Sequence, residues 1–203
     1  MTQAEKLAEY SRLLLGGREP PADLRTLLEL KWQGTAANAG ANPLKFMGVS
    51  LLEPGEAHAL LDHSYLNEKD RADPDIMANV AAITSTCEHA AFVARNNDDA
   101  IFGYWFGPEN VDIGAAPILK LDSEGQFLQL EGLTLSEALL GNHVFEDVEK
   151  FAKLKDLFGK VGIAISANSW DELAYPSPPT DPTVFHEERY NENRSKAGLA
   201  PYR

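Results

Sequence analysis

The densest strand pattern in the chain lies between residues 92 and 130. Its apolar runs are short and are interrupted by turns rich in Asn, Asp and Gly at residues 96–99 and 122–125. Short apolar runs separated by such turns are typical of β-hairpins. The pattern predicts two hairpins, over residues 92–106 and 118–130, that together form an antiparallel meander of about four strands.

Apolar residues that recur every three or four positions predict helices on both sides of this meander. Two of these helices begin with a capping box, in which a Thr hydroxyl and a Glu three residues later satisfy the first free amides. The predicted helices run from Thr2 to Gly16, from Pro21 to Gly34, from Thr134 to Leu140 and over residues 142–159, the last with Asn142 as its cap.

The segment between the second helix and the meander has a weaker pattern. Residues 35–43 are small and turn-prone, which predicts a surface loop. Apolar residues at 46–49 predict a short strand, and a further helix is expected from about Glu56. Residues 67–75 are charged and include a proline, so they are interpreted as a loop or a mobile connection.

Residues 174–203 are rich in proline and in polar side chains. Proline removes backbone donors and polar residues bury little apolar surface, so an extended tail is predicted here. Its deletion is expected to change the melting temperature only slightly. The remaining residues, 1–173, are predicted to form a single α+β domain, with an antiparallel or mixed sheet of about four to six strands flanked by helices.

The chain carries a net charge of -13, and most of it lies in the middle of the sequence. Residues 44–140 contain sixteen acidic and five basic residues. Nucleic acids and anionic membranes are poor partners for such a surface, whereas a basic protein is a suitable one. No apolar run approaches the roughly 20 residues that span a bilayer. The chain also starts without a secretory signal pattern, so a cytoplasmic location is expected.

Patterns that carry chemistry are weak in this sequence. Cys87 is the only cysteine and has no neighbouring cation in sequence, which predicts an inert thiol. The five histidines are scattered, and no phosphate loop or nucleophile elbow occurs. The sequence therefore predicts no catalytic site, no metal and no cofactor. A small hydrolase with a site assembled from distant residues stays open as an alternative.

One cluster is a stronger candidate for a functional site than these patterns. It is the aromatic run at residues 102–106, which has acidic residues on either side of it. On a strand, Phe102, Tyr104 and Phe106 share one face and Trp105 lies on the other. One face is expected to fill the core and the other to present an aromatic residue among acids, as binding hot spots do. The residues predicted to bind a partner are Asp98, Asp99, Tyr104, Trp105, Glu109 and Asp112.

The order of the segments resembles the SUKH superfamily, also known as the SMI1/KNR4 family. Residues 20–28 are similar to the leucine-rich opening helix of that family, and residues 48–53 to the short segment before its next helix. Residues 92–140 resemble its aromatic hairpins and the short helix that follows them. The likeness covers residues 20–140, and the helix over 142–159 is an addition to it.

The resemblance implies an α+β fold and a function without catalysis. Members of this family commonly act as immunity proteins that neutralise bacterial toxins, often nucleases, by binding them. The function expected from the sequence is therefore a protein-binding domain, most concretely an immunity protein against a basic toxin domain. A regulatory scaffold with the same fold is the first alternative, and the hydrolase is the second.

Overall fold

The computed structural model describes residues 1–34 and 42–202. Its sheet has five strands, each paired antiparallel with the next one along the chain. The strands are β1 (Val49–Leu51), β2 (Ala90–Asn96), β3 (Ile101–Trp105), β4 (Ile118–Leu121) and β5 (Phe127–Gln129). Strands β2 to β5 are the predicted meander, and the α+β fold class is confirmed.

Helices surround this sheet, nine of them in the part of the chain that the structure describes. They are α1 (Gln3–Leu14), α2 (Ala22–Gln33), α3 (Pro43–Met47), α4 (Ala59–Asp62), α5 (Glu68–Ala72), α6 (Pro74–Cys87), α7 (Leu135–Val144), α8 (Val148–Lys160) and α9 (Pro182–Lys196). A 3-10 turn, Trp170–Glu172, lies between α8 and α9.

Both segments predicted as capping boxes start helices. In the second, the Glu carboxylate accepts a hydrogen bond from a different amide than the capping box requires. The Thr2 hydroxyl accepts from the Glu5 amide at 3.2 Å, and the Glu5 carboxylate accepts from the Thr2 amide at 2.7 Å. At α7 the Thr134 hydroxyl accepts from the Glu137 amide. The Glu137 carboxylate, however, accepts from the Leu133 amide, one residue before the cap.

The helix predicted over residues 142–159 is two helices. Asn142 lies inside α7 instead of capping a helix, and the cap of α8 is Asp147, whose carboxylate accepts from the Lys150 amide at 2.9 Å. The interruption has a backbone cause, because Phe145 and Glu146 both have positive φ and cannot continue a right-handed helix.

The predictions between α2 and β2 need three corrections. Residues 46 and 47 belong to α3, which Asn42 caps, so the predicted strand begins only at residue 49. The helix expected from Glu56 is the single turn of α4. Of the predicted loop at 35–43, residues 35–41 lie outside the described residues and Pro43 is the first residue of α3.

The charged stretch 67–75 is helical instead of being a loop. Asn67 caps α5, and Asp73 caps α6 by accepting hydrogen bonds from the Asp75 and Ile76 amides. Pro74 is the first residue of α6, a position where proline costs no hydrogen bond because the first helical amides have no partner within the helix. The charged residues therefore start two helices.

The sheet is buried on both faces. Helices α1, α2, α7 and α8 pack on the face that carries Phe102 and Tyr104. Helices α6 and α9 cover the opposite face, which carries Ile101 and Trp105. The predicted division of the aromatic run between two faces is confirmed. The prediction that one of these faces reaches solvent is wrong, since helices cover both.

Gly103 allows β2 and β3 to approach closely at the centre of the sheet. A β-bulge lies opposite it, between Phe92 and Ala94. A Cβ atom at position 103 would lie 2.1 Å from the carbonyl oxygen of Ala91, well inside van der Waals contact. Only glycine fits between the two backbones at this position.

The predicted extended tail contains a long helix that belongs to the fold. Asp181 caps α9 and Pro182 occupies its first position. Phe185 is buried in the second core, and α9 packs along α6. Residues 174–181 lack regular structure apart from bends, as the prediction had it, but they carry the chain to a docked helix. The described residues form one domain.

Candidate functional site

The residues predicted to bind a partner do not form one surface. Asp98 and Asp99 lie in the turn before β3, whereas Glu109 and Asp112 lie in the loop after it. The two acidic pairs are therefore at opposite ends of β3. The first pair belongs to an ordinary turn, in which the Asn96 side chain accepts a hydrogen bond from the Asp98 amide at 3.1 Å.

Tyr104 and Trp105 are core residues, which corrects their prediction as partner anchors. Their exposed fractions are 2% and 1%. The Trp105 indole donates to the carbonyl oxygen of Thr180 at 2.8 Å, and the Thr180 hydroxyl donates to the Glu109 carboxylate at 2.5 Å. Trp105 and Glu109 thus hold the segment that leads to α9, so these two residues have structural partners.

A polar cleft of about 390 Å³ contains one of the predicted acids. Asp98 lines it together with Lys120 of β4 and His143 of α7. Burial, followed by the charge of Lys150, lowers the pKa of His143. The described residues that line this cleft include three titratable side chains but no Ser, Thr or Cys.

Ser166 and Cys87 lie outside this cleft and have structural surroundings. The Ser166 hydroxyl donates to the Glu137 carboxylate at 2.7 Å, and this bond holds the segment after α8 against the start of α7. Burial raises the pKa of the Cys87 thiol to about 12, so the thiol stays protonated at neutral pH. Within residues 1–34 and 42–202, no three His, Cys, Asp or Glu side chains converge as metal ligands.

The turn between α7 and α8 holds an exposed phenylalanine in an unusual backbone conformation. Phe145 has a φ of 28° and Glu146 a φ of 64°. Left-handed backbone at a residue other than glycine costs roughly 1–3 kcal/mol and is concentrated at functional sites. The side chain that this turn presents, Phe145, is 70% exposed.

A tryptophan supports the exposed ring. The ring centroids of Phe145 and Trp170 are 5.5 Å apart in an edge-on arrangement. Trp170 starts the 3-10 turn and packs against α7 at Gly141. A Cβ atom added at Gly141 would lie 4.0 Å from the Cδ1 atom of Trp170. Val148, at the first position of α8, is 65% exposed. We call Phe145, Val148 and Trp170 the Phe145 surface.

Two further exposed apolar residues lie on the adjoining segments. The Gly132 amide donates to the carbonyl oxygen of Ala174 at 2.7 Å, which brings the chain before α7 next to the chain after the 3-10 turn. Leu133 and Tyr175 follow these two residues, and both are largely exposed. They lie at the N-terminal end of α7, whereas Phe145 follows its C-terminal end.

Acidic residues flank Phe145 and Trp170 in sequence, at the start of α8 and in the 3-10 turn. We call these five residues the acidic rim: Glu146, Asp147, Glu149, Asp171 and Glu172. All five are exposed. Asp147 caps α8, and Glu172 accepts from Asn168. For the other three rim residues, the described part of the chain supplies no hydrogen bond or ion pair.

The sequence contained one signal for this turn that the prediction did not use. An acidic residue suited to capping, Asp147, precedes the strongly amphipathic stretch of α8 and marks a helix start at Val148. The prediction instead placed Phe145 inside one continuous helix. No local pattern showed that residues 170–175 return to α7, because that contact joins distant parts of the chain.

Comparisons with protein-family models, with curated proteins and with solved structures found no match for this chain. Among the helices that the structure describes, none has the length and apolar character needed to cross a bilayer.

Proposed function

We propose that this chain is a protein-binding domain, and that a basic protein docks on the Phe145 surface. The observation that carries this proposal is Phe145, a 70% exposed aromatic side chain held by a left-handed turn against Trp170. Large exposed aromatic residues are costly to leave in water and are enriched among binding hot spots. Burying such a ring against a partner is worth about 2 kcal/mol.

The acidic rim specifies the charge of the partner. Exposed carboxylates on both sides of an apolar centre attract a basic surface and repel an acidic one. The net charge of -13 adds a long-range attraction, which speeds the encounter with a basic protein at low ionic strength. An apolar centre with a charged rim is the usual anatomy of a protein interface.

The specific function that we propose is that of an immunity protein, which neutralises a basic toxin domain by binding it. The resemblance of residues 20–140 to the SUKH superfamily supports this function, and so does the acidic surface. Phe145 and Trp170 lie outside that range, in the part that the resemblance does not cover. The proposed binding surface therefore rests on the contacts of these residues.

A comparison of two exposed aromatic residues tests the proposal. Phe145→Ala removes the centre of the surface, and Tyr65→Ala removes another exposed aromatic residue among acids, between α4 and α5. Both variants and the wild type are used to capture proteins from the source cells. The partner is expected to bind wild type and Tyr65→Ala equally, and to bind Phe145→Ala about 30-fold more weakly, as for a hot-spot residue.

The immunity function requires a further result. The captured partner should be a basic protein that stops growth when it is expressed alone. Co-expression of the wild-type chain should restore growth, and co-expression of Phe145→Ala should not. A partner that binds Phe145→Ala as tightly as wild type would contradict the proposed surface, and a harmless partner would contradict the immunity function.

A further inference from the structure

We infer that the Phe145 surface recognises an arginine side chain of its partner. This inference rests on the proposed function and specifies the chemistry of that same surface. Each of its two aromatic residues is followed in the chain by a carboxylate: Phe145 by Glu146, and Trp170 by Asp171. Because the two rings touch, the residues that carry these carboxylates lie in turns that contact each other.

A guanidinium group fits this combination better than an ammonium group does. Its plane stacks on an aromatic ring while the N–H groups at its edge donate to a carboxylate, often two at a time. A lysine ammonium is a compact charge that keeps its water more strongly. Rings beside free carboxylates therefore favour arginine over lysine at equal charge.

The chain makes the same contact inside itself, at the junction of α6 and α9. The Arg194 guanidinium lies 5.3 Å over the ring of Tyr190 and donates a hydrogen bond to the Asp75 carboxylate. The Asp75 carboxylate also accepts from the Tyr190 hydroxyl at 2.7 Å. One ring, one carboxylate and one guanidinium thus form a complete set there.

The Phe145 surface has the ring and the carboxylate of this set without a cation. The neighbouring basic residue on α8, Lys150, directs its ammonium to the carbonyl oxygen of His143 at 3.3 Å. In the described part of the chain no Lys or Arg lies over the ring of Phe145 or Trp170. A partner arginine would complete the set.

Two short peptides of alternating glycine and basic residues test this inference, one with arginine and the other with lysine at every basic position. Their dissociation constants are measured at low salt from the NMR signal of the Trp170 side chain. The arginine peptide is expected to bind about fivefold more tightly, because only a guanidinium both stacks on a ring and donates in pairs to a carboxylate. Phe145→Ala should remove this preference, and Tyr65→Ala should preserve it.

Each outcome decides one of the two proposals. An arginine preference that depends on Phe145 supports the inference. Equal binding of both peptides, lost in Phe145→Ala, overturns the arginine inference and leaves the proposed surface in place. An arginine preference that persists in Phe145→Ala also overturns the inference. Binding of neither peptide at Trp170 overturns the inference and the proposed basic partner together.

Discussion

The indole nitrogen of Trp105 donates a hydrogen bond of 2.8 Å to the carbonyl oxygen of Thr180. This bond joins the central strand β3 to the segment that leads into α9. The helix then places Phe185 against Trp105, with ring centroids 5.7 Å apart. The C-terminal residues therefore complete the second core of the sheet.

Phe185→Ala is expected to destabilise the fold by about 3 kcal/mol, because it leaves a cavity beside Trp105. The neighbouring residue offers a matched control, since Val184 is 51% exposed whereas Phe185 is 6% exposed. Val184→Ala should change the free energy of unfolding by less than about 0.5 kcal/mol. Urea unfolding measures both values. Similar small effects for the two variants would contradict the packing of α9 on the sheet and would support the extended tail predicted from the sequence.

Gly103→Ala is expected to destabilise the fold by at least about 2 kcal/mol, because the new methyl group would collide with the β2 backbone. Its Cβ would lie 2.1 Å from the Ala91 carbonyl oxygen, and a strand backbone cannot move aside as a side chain can. Gly114→Ala serves as the control, since nothing lies within 4 Å of a Cβ at that position. Equal melting temperatures for the two variants would contradict the close approach of β2 and β3.

The free energy of unfolding is expected to decrease as the pH falls, because of a histidine in α9. Burial lowers the pKa of His186 from its ordinary value of 6.5, and its ring packs 5.1 Å from that of Phe127. Between the pKa of the folded state and that of the unfolded state, His186 is protonated in the unfolded chain and neutral in the folded chain. The stabilisation from neutral His186 is therefore complete above pH 6.5 and is lost as the pH falls through the lower pKa of the folded state.

His186→Gln tests this origin of the pH dependence. Wild type should lose unfolding free energy between neutral pH and the acid side of 6.5, and the variant should show a smaller slope there. His58 and His143 also have lowered pKa values, so some slope should persist in the variant. A variant whose slope equals that of wild type would assign the effect to those two histidines.

The sequence predicted the parts of the fold that depend on local patterns. The hairpins of β2 to β5 follow from apolar alternation and turn residues, and the capping boxes fixed the starts of α1 and α7. The helices α6 and α9 were missed because Pro74 and Pro182 were interpreted as signs of a loop and a tail, although each follows an Asp that caps a helix. Asp75 in α6 pairs with Arg194 in α9, a contact between residues far apart in the chain.

The candidate site was predicted less well than the fold, and for a similar reason. An aromatic run flanked by acids has the composition of a binding site, but composition does not say which faces of a strand are covered. Helix α9 covers Trp105. The prediction left Trp105 exposed because it interpreted residues 174–203 as an extended tail. Phe145 is exposed instead, and its position depends on the three-residue break between α7 and α8.

The acidic rim supplies the most direct test of the account, through the association rate of the captured partner. Glu146, Glu149 and Asp171 are reversed to lysine in one variant. Three exposed acids on the opposite side of the sheet, Glu68 of α5 and Glu187 and Glu188 of α9, are reversed in a control variant with the same net charge. Rates are measured at about 0.01 M salt, where the Debye length is about 30 Å, and at about 0.15 M, where it is about 8 Å.

The account predicts that reversing the rim slows association at least about tenfold at low salt, and that the difference shrinks at high salt. The control reversal should slow association much less, because its charges lie away from the Phe145 surface. Equal slowing by both reversals would mean that only the total charge matters. No slowing by the rim reversal would contradict the proposed docking of a basic protein at Phe145.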